Sequence, residues 1–305
     1  MDYNSINNNG DNNNTTPKTS PWKVFKALLF AFLLMTLFFI VQNIAAVGSV
    51  IFSAAYAIVR ALQGDEYYMS HPIMDFALGK DGLMLATLLA TIFSALVFGM
   101  WWYARNRNYG RVKYRLSQGF KFLYKHLFKI ILLFIAVYGI TEIVVIIETF
   151  VFPEQLMEYD KMTENMVFDN LVVNIFALVI FGPLGEEALF RGMILDKFRG
   201  CMNIFVAIAL QAVLFGAFHG NIIQGLFTIP MGFACGFLAY KGESIIPSLF
   251  VHMLYNGLAL LISYLPKEIS NSPTMAGAMI IMPIFAGFML FTLLPRDEYG
   301  NIIFN

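Results

Sequence analysis

The run from Ala27 to Val59, ALLFAFLLMTLFFIVQNIAAVGSVIFSAAYAIV, contains no charged residue. A helix needs about 20 apolar residues to cross the hydrocarbon of a bilayer, so this stretch suits one extended, tilted crossing and is short for a hairpin of two. We read it as one helix. The same reasoning, carried outward, places further spans at about Leu83–Tyr103, Ile130–Phe152, Phe168–Gly185 with a continuation, Asn203–His219, Ile222–Tyr240, Ile245–Leu265 and Met275–Leu294. The expected fold class is all-α: a polytopic α-helical membrane protein of about eight transmembrane helices.

Composition points the same way. Of 305 residues, 58% are hydrophobic and 13% charged, against roughly 45–50% and about 25% in soluble domains. Mean hydropathy is +0.67. The 20 Lys plus Arg balance the 20 Asp plus Glu, so nothing recommends nucleic acid as a partner. Cys201 and Cys235 stand apart from any zinc or disulfide spacing and read as small apolar residues. The abundant Met and Phe are material for packing and for facing lipid.

The opening MDYNSINNNGDNNNTTPKTS is rich in Asn and Thr and lacks apolar periodicity, so residues 1–22 are expected to form a disordered tail. It does not read as a signal peptide, because the apolar run starts only after Lys26. No Gly at position two and no prenylation box at the closing IIFN suggest lipidation. Residues 23–165 would hold the N-terminal helices and a basic loop, 166–266 the polar residues considered below, and 267–305 a last helix with a short tail.

Arg105, Arg107, Arg111, Lys113, Arg115, Lys121, Lys125 and Lys129 have no acidic residue among them. By the positive-inside rule this block is cytoplasmic, an orientation signal against anionic lipid. The segments Asp65–Asp81 and Glu154–Glu164 are acidic on balance and are read as loops on the opposite side. Lys18, Lys23 and Lys26 then place the N-terminus in the cytoplasm, and Arg296 the C-terminus. The expected location is a bacterial cell membrane.

A charge at the bilayer centre costs roughly 2.5–3.5 kcal/mol on insertion scales, so charges inside spans are paired or functional. The segment Phe181-Gly182-Pro183-Leu184-Gly185-Glu186-Glu187-Ala188-Leu189-Phe190-Arg191 carries two carboxylates and an arginine. His219 stands in the otherwise uncharged stretch Gly200–Tyr240, and His252, with Asn256 one turn later, in the uncharged stretch Ser244–Pro266. Glu187 and Arg191, at i and i+4, share a helix face and can pair. Glu186 points elsewhere and is left to take a proton from water. His252 and Asn256, also i and i+4, could hold a developing oxyanion. Counted from a turn at Arg199–Asn203, Glu186 and His219 lie on the order of 20–27 Å along their helices and can face each other. The Gly182–Gly185 run is expected to break or kink its helix and admit water. Gly216/Gly220 and Gly232/Gly236 match GxxxG and would pack helices closely.

Glu186-Glu187-Ala188-Leu189-Phe190-Arg191 fits the EExxxR motif of the CPBP intramembrane proteases, the group that takes in CAAX prenyl proteases and bacteriocin-processing or immunity-associated (Abi-like) relatives. Phe215-Gly216-Ala217-Phe218-His219 fits that family's FxxxH, and His252-Met253-Leu254-Tyr255-Asn256 its HxxxN. The chain resembles this family over roughly Phe168–Pro266. The resemblance implies an intramembrane endopeptidase in which Glu186 is the general base and His219 positions the attacking water. His252 and Asn256 would stabilise the oxyanion, and Glu187 and Arg191, with Phe215, would support the site. It also implies a metallopeptidase class. Glu186, His219 and His252 could hold a divalent metal such as zinc, while a metal-free glutamate mechanism uses the same residues.

The expected partners are membrane lipid and a membrane-associated protein or peptide, whether a lipidated tail, a membrane peptide or a precursor. Two other readings use the same residues: a proton-coupled transporter with a buried Glu/His relay, and a non-catalytic immunity or scaffold protein.

Overall fold

The computed structural model describes residues 20–71, 73–107, 111–166, 168, 170–270 and 272–293. Most of the Asn-rich tail, and Arg296, lie outside them. Among the described residues every regular element is a helix. The long ones are α1 (Pro21–Leu62), α2 (Lys80–Arg107), α3 (Arg111–Val151), α4 (Pro153–Met166), α5 (Leu171–Phe198), α6 (Ile204–Phe218), α7 (Ile222–Lys241), α8 (Ile246–Ser263) and α9 (Pro273–Thr292).

Six of these contain a stretch long and apolar enough to cross a membrane: α1, α2, α3, α5, α7 and α8. Two more, Ile204–Phe218 and Gly277–Thr292, are apolar but shorter. The chain is thus a polytopic helical integral membrane protein. Its large apolar side chains face outward as well as inward: Phe32, Leu33, Ile51, Phe150 and Ile281 are all exposed. In water such a surface would be unfavourable; against lipid tails it is the matching solvent. As expected, Ala27–Val59 lies in one helix.

Three segments read as loops are helical: Asp65–Asp81 holds the short helices Glu66–Ser70 and Ile73–Leu78, and the basic residues from Arg111 to Lys129 lie on α3. The third, the acidic stretch Glu154–Glu164, lies on α4, whose proline sits at the first helical position, where a missing N–H costs nothing.

The core is built by α5 to α8. Helix α6 packs most closely on α7, and α3 braces α7, α8 and α9, while the α1–α2 pair closes over α5. Asparagines start three of these helices: Asn170 caps Val172 and Val173, Asn203 caps Phe205, and Asn221 caps Ile223 and Gln224. At ~1.5 Å per residue, α6 is roughly 22 Å long, shorter than a hydrocarbon core of about 30 Å. Its last turn carries His219 at the C-cap.

The two GxxxG matches have different roles. Gly232 and Gly236 do pack α7 on α6, where an added Cβ would lie 3.1 Å from Ala212 Cα and 2.8 Å from Gln211 Oε1. Gly216 abuts the Gly225 carbonyl. Gly220 is not a packing residue: with φ +67° it ends α6 in the left-handed conformation that glycine adopts without strain.

Candidate active site

The segment bearing both glutamates is continuous, not broken. Helix α5 widens into π-type turns at Ile175–Phe181 and again at Phe190–Leu195, with ordinary α-helix at Gly182–Leu189 between them. Pro183 is the physical reason for the first. In a regular α-helix its ring would strike the carbonyl four residues back, and widening the turn relieves the clash.

The widening shifts the hydrogen bonds by one residue. Gly182 N–H donates to Ala177 O, so the next carbonyl, Leu178 O, would need an N–H from Pro183, which has none. Asn256 Nδ2, from α8, supplies it at 2.8 Å. Asn256 therefore locks α8 to α5 through one N–H. Replacing Asn256 by Ala should destabilise the protein by about 1–3 kcal/mol, the cost of an orphaned buried carbonyl. In a Pro183→Ala background, where an N–H returns, the loss should shrink. Thermal unfolding of the two single variants and the double variant checks this, and equal losses in both backgrounds would remove the explanation.

Glu187, Arg191 and His252 form the dry floor of the site, exposed by 0%, 2% and 2%. Arg191 Nη1 donates to Glu187 Oε1 at 2.7 Å, and Arg191 Nη2 to Gly232 O at 3.1 Å. His252 Nδ1 meets the same Glu187 Oε1 at 2.9 Å. A carboxylate paired with arginine accepts and cannot donate, so Nδ1 carries the hydrogen. His252 Nε2 is then free to take a proton, and it faces Glu186 Oε2 at 3.6 Å. Glu186 is the accessible member of this set, with a side chain 19% exposed.

His219 follows the same tautomer logic. Its Nδ1 lies 2.8 Å from Phe215 O; a carbonyl only accepts, so Nε2 is again the bare nitrogen. Glu186 and His252 are within electrostatic reach of its ring. Phe215 stands between the two histidines, edge-on to His219 at 4.9 Å and to His252 at 5.7 Å between centroids. The Arg191 guanidinium lies over the same ring at 4.6 Å.

The structure thus brings Glu186, Glu187, Arg191, Phe215, His219 and His252 into one cluster, with Asn256 on its rim. It departs from the expectation in two respects. Glu186 is not isolated, since His252 links it to the Glu187–Arg191 pair. Asn256 is partly committed to Leu178. Among the described residues no three of His, Cys, Asp and Glu are grouped as a metal ion's ligands, so the Glu186, His219 and His252 set does not fit a metal as it stands.

Two carboxylates escaped the sequence reading. Glu142 and Glu148 both lie in the apolar part of α3, and the rule that singled out Glu186 applies equally to them.

This geometry defines a helical membrane protein with a buried carboxylate–imidazole site. Residues 168–258 match the family described as type II CAAX prenyl endopeptidase Rce1-like. The matched part of the chain holds Glu186, Glu187, Arg191, Phe215, His219, His252 and Asn256. YdiL of Bacillus subtilis (strain 168), a protein named as a candidate membrane peptidase, is 30% identical over 87 residues, 28% of this chain and 36% of YdiL. The chain spans about a third of the length of that curated relative. No solved structure matches.

Proposed function

We propose that this protein is an intramembrane endopeptidase hydrolysing a peptide bond in a membrane-associated substrate. The observation that carries the reading is His252, which presents a bare Nε2 to Glu186 while its other nitrogen is anchored on Glu187. Glu186 Oε2, His252 Nε2 and His219 Nε2 are all acceptors, and a water molecule donates to such a set. Glu186 takes one of the water's protons as its oxygen attacks the scissile carbonyl carbon. That proton is shared with His252 Nε2, whose N–H then joins the second Asn256 N–H in holding the oxyanion. Collapse of the tetrahedral species breaks the C–N bond, and the proton passes to the leaving nitrogen. The products are a new carboxylate and a new amine.

The substrate is a lipidated tail, a membrane peptide or a precursor. The protein sits among lipids of a bacterial cell membrane with both termini in the cytoplasm, as the basic segment Arg105–Lys129 directs. The test is hydrolysis of labelled membrane peptides by the purified chain in water enriched in oxygen-18. Label should enter the new carboxylate. Proton-coupled uptake into vesicles without any cleavage would instead make the cluster a transport relay.

The reaction proceeds with protein groups alone, since among the described residues no three of His, Cys, Asp and Glu are grouped as a metal ion's ligands. Chelators should therefore leave the rate unchanged. Loss of activity on chelation, restored by added zinc, would mean that Glu186, His219 and His252 close on a metal.

A further inference from the structure

Helix α3 carries a second polar cluster that the proposed hydrolysis does not use. Tyr138, Thr141, Glu142, Val145 and Glu148 fall within an arc of about 120° on one face. Glu142 is hydrogen-bonded to the Tyr138 hydroxyl. Thr141 is hydrogen-bonded to Tyr255 of α8 and donates to Phe227 O of α7 at 3.3 Å. The Tyr138 and Tyr255 rings are 5.5 Å apart.

Glu148 differs from the rest. Only 1% of it is exposed, and among the described residues neither carboxylate oxygen has a hydrogen-bond partner. Tyr255, and Tyr159 of α4, lie within electrostatic reach of it. Tyr159 packs on Phe227 at 5.7 Å between ring centroids. An unpaired buried carboxylate is costly, and the partner that offsets the cost brings positive charge and N–H donors. Aromatic faces attract the same kind of group. A bare metal ion fits poorly, since no three ligating side chains are grouped among the described residues. An organic cation needs only one carboxylate and the rings.

We propose that Glu148, with Tyr159 and Tyr255, is a recognition site for an ammonium or guanidinium group of the peptide substrate, an inference that rests on the endopeptidase reading. The link to the active site runs through α8. Tyr255 lies between His252 and Asn256 on α8, and Glu148 stands six residues beyond Glu142 on α3, about 9 Å along the axis. The chain accordingly selects substrates with a basic residue outside the bond it cuts.

Binding can be measured apart from cleavage, on the full-length Glu186→Gln protein in detergent. The probes are two fluorescent apolar peptides with blocked termini, identical except for one Lys in place of Leu. A third probe, the Leu peptide with a free amino terminus, tests whether a terminal ammonium serves as the cation. The Lys peptide should bind about tenfold more tightly or better. Adding Glu148→Gln should bring the ratio near one, and Glu148→Asp should retain part of it. If Glu148→Gln fails to accumulate, Tyr159→Leu should reduce the ratio roughly two- to fivefold. A ratio near one at the outset, or one that survives these changes, overturns the site. Lys selectivity in binding without hydrolysis by the unsubstituted protein would leave the site standing and sink the endopeptidase reading.

Discussion

Arg191→Met is expected to destabilise the protein by about 3–5 kcal/mol, the usual penalty for removing one partner of a buried ion pair. Methionine fills most of the arginine's volume, so the loss is electrostatic. Glu187, fully buried, would keep the His252 Nδ1–H as a donor but lose its cation, and the Gly232 carbonyl would lose the Arg191 N–H. The Phe215 ring would also lose the guanidinium over its face. The two charges are there for each other, so Glu187→Gln in the same background should recover much of the loss. Thermal unfolding in detergent, followed by tryptophan fluorescence, compares both variants with the starting chain. An Arg191→Met protein as stable as the starting chain would mean that the pair is not what holds α5 against α7.

Much of this site follows from short-range sequence. The pairing of Glu187 with Arg191 follows from i,i+4 spacing, because helical geometry is local. The single long helix through Ala27–Val59 follows from length and the absence of charge. What escaped the sequence depends on register between distant segments. That Asn256 would meet Leu178 requires knowing how α8 slides along α5, and that Leu178 O would need a donor requires knowing that the helix widens at Pro183. Gly220 looked like half of a packing motif because spacing alone cannot reveal that the helix has already ended one residue earlier. The helix Pro153–Met166 looked like a loop because its polar residues outweigh its apolar ones. Glu148 was legible, and the rule that finds charges in apolar spans would have found it.

The largest catalytic effect should come from Glu186→Gln. The amide keeps the shape and partly exposed position of the carboxylate but cannot take a proton from water. General acid–base groups contribute typically 10²–10⁴-fold, so kcat should fall by about that factor, with little change in KM and no loss of thermal stability. The contrast with His252→Gln tests the proposed order of events. Without His252, Glu186 can still accept the proton, but the N–H that steadies the oxyanion is gone, and so is the donor to Glu187. His252→Gln should therefore lower both kcat and stability, whereas Glu186→Gln lowers kcat alone. Single-turnover cleavage of a membrane peptide, read beside unfolding of the same preparations, separates the two. If Glu186→Gln cuts at the normal rate, the base lies elsewhere and the three acceptors serve binding; if it unfolds as readily as Arg191→Met, Glu186 is part of the floor, not the group that meets the water.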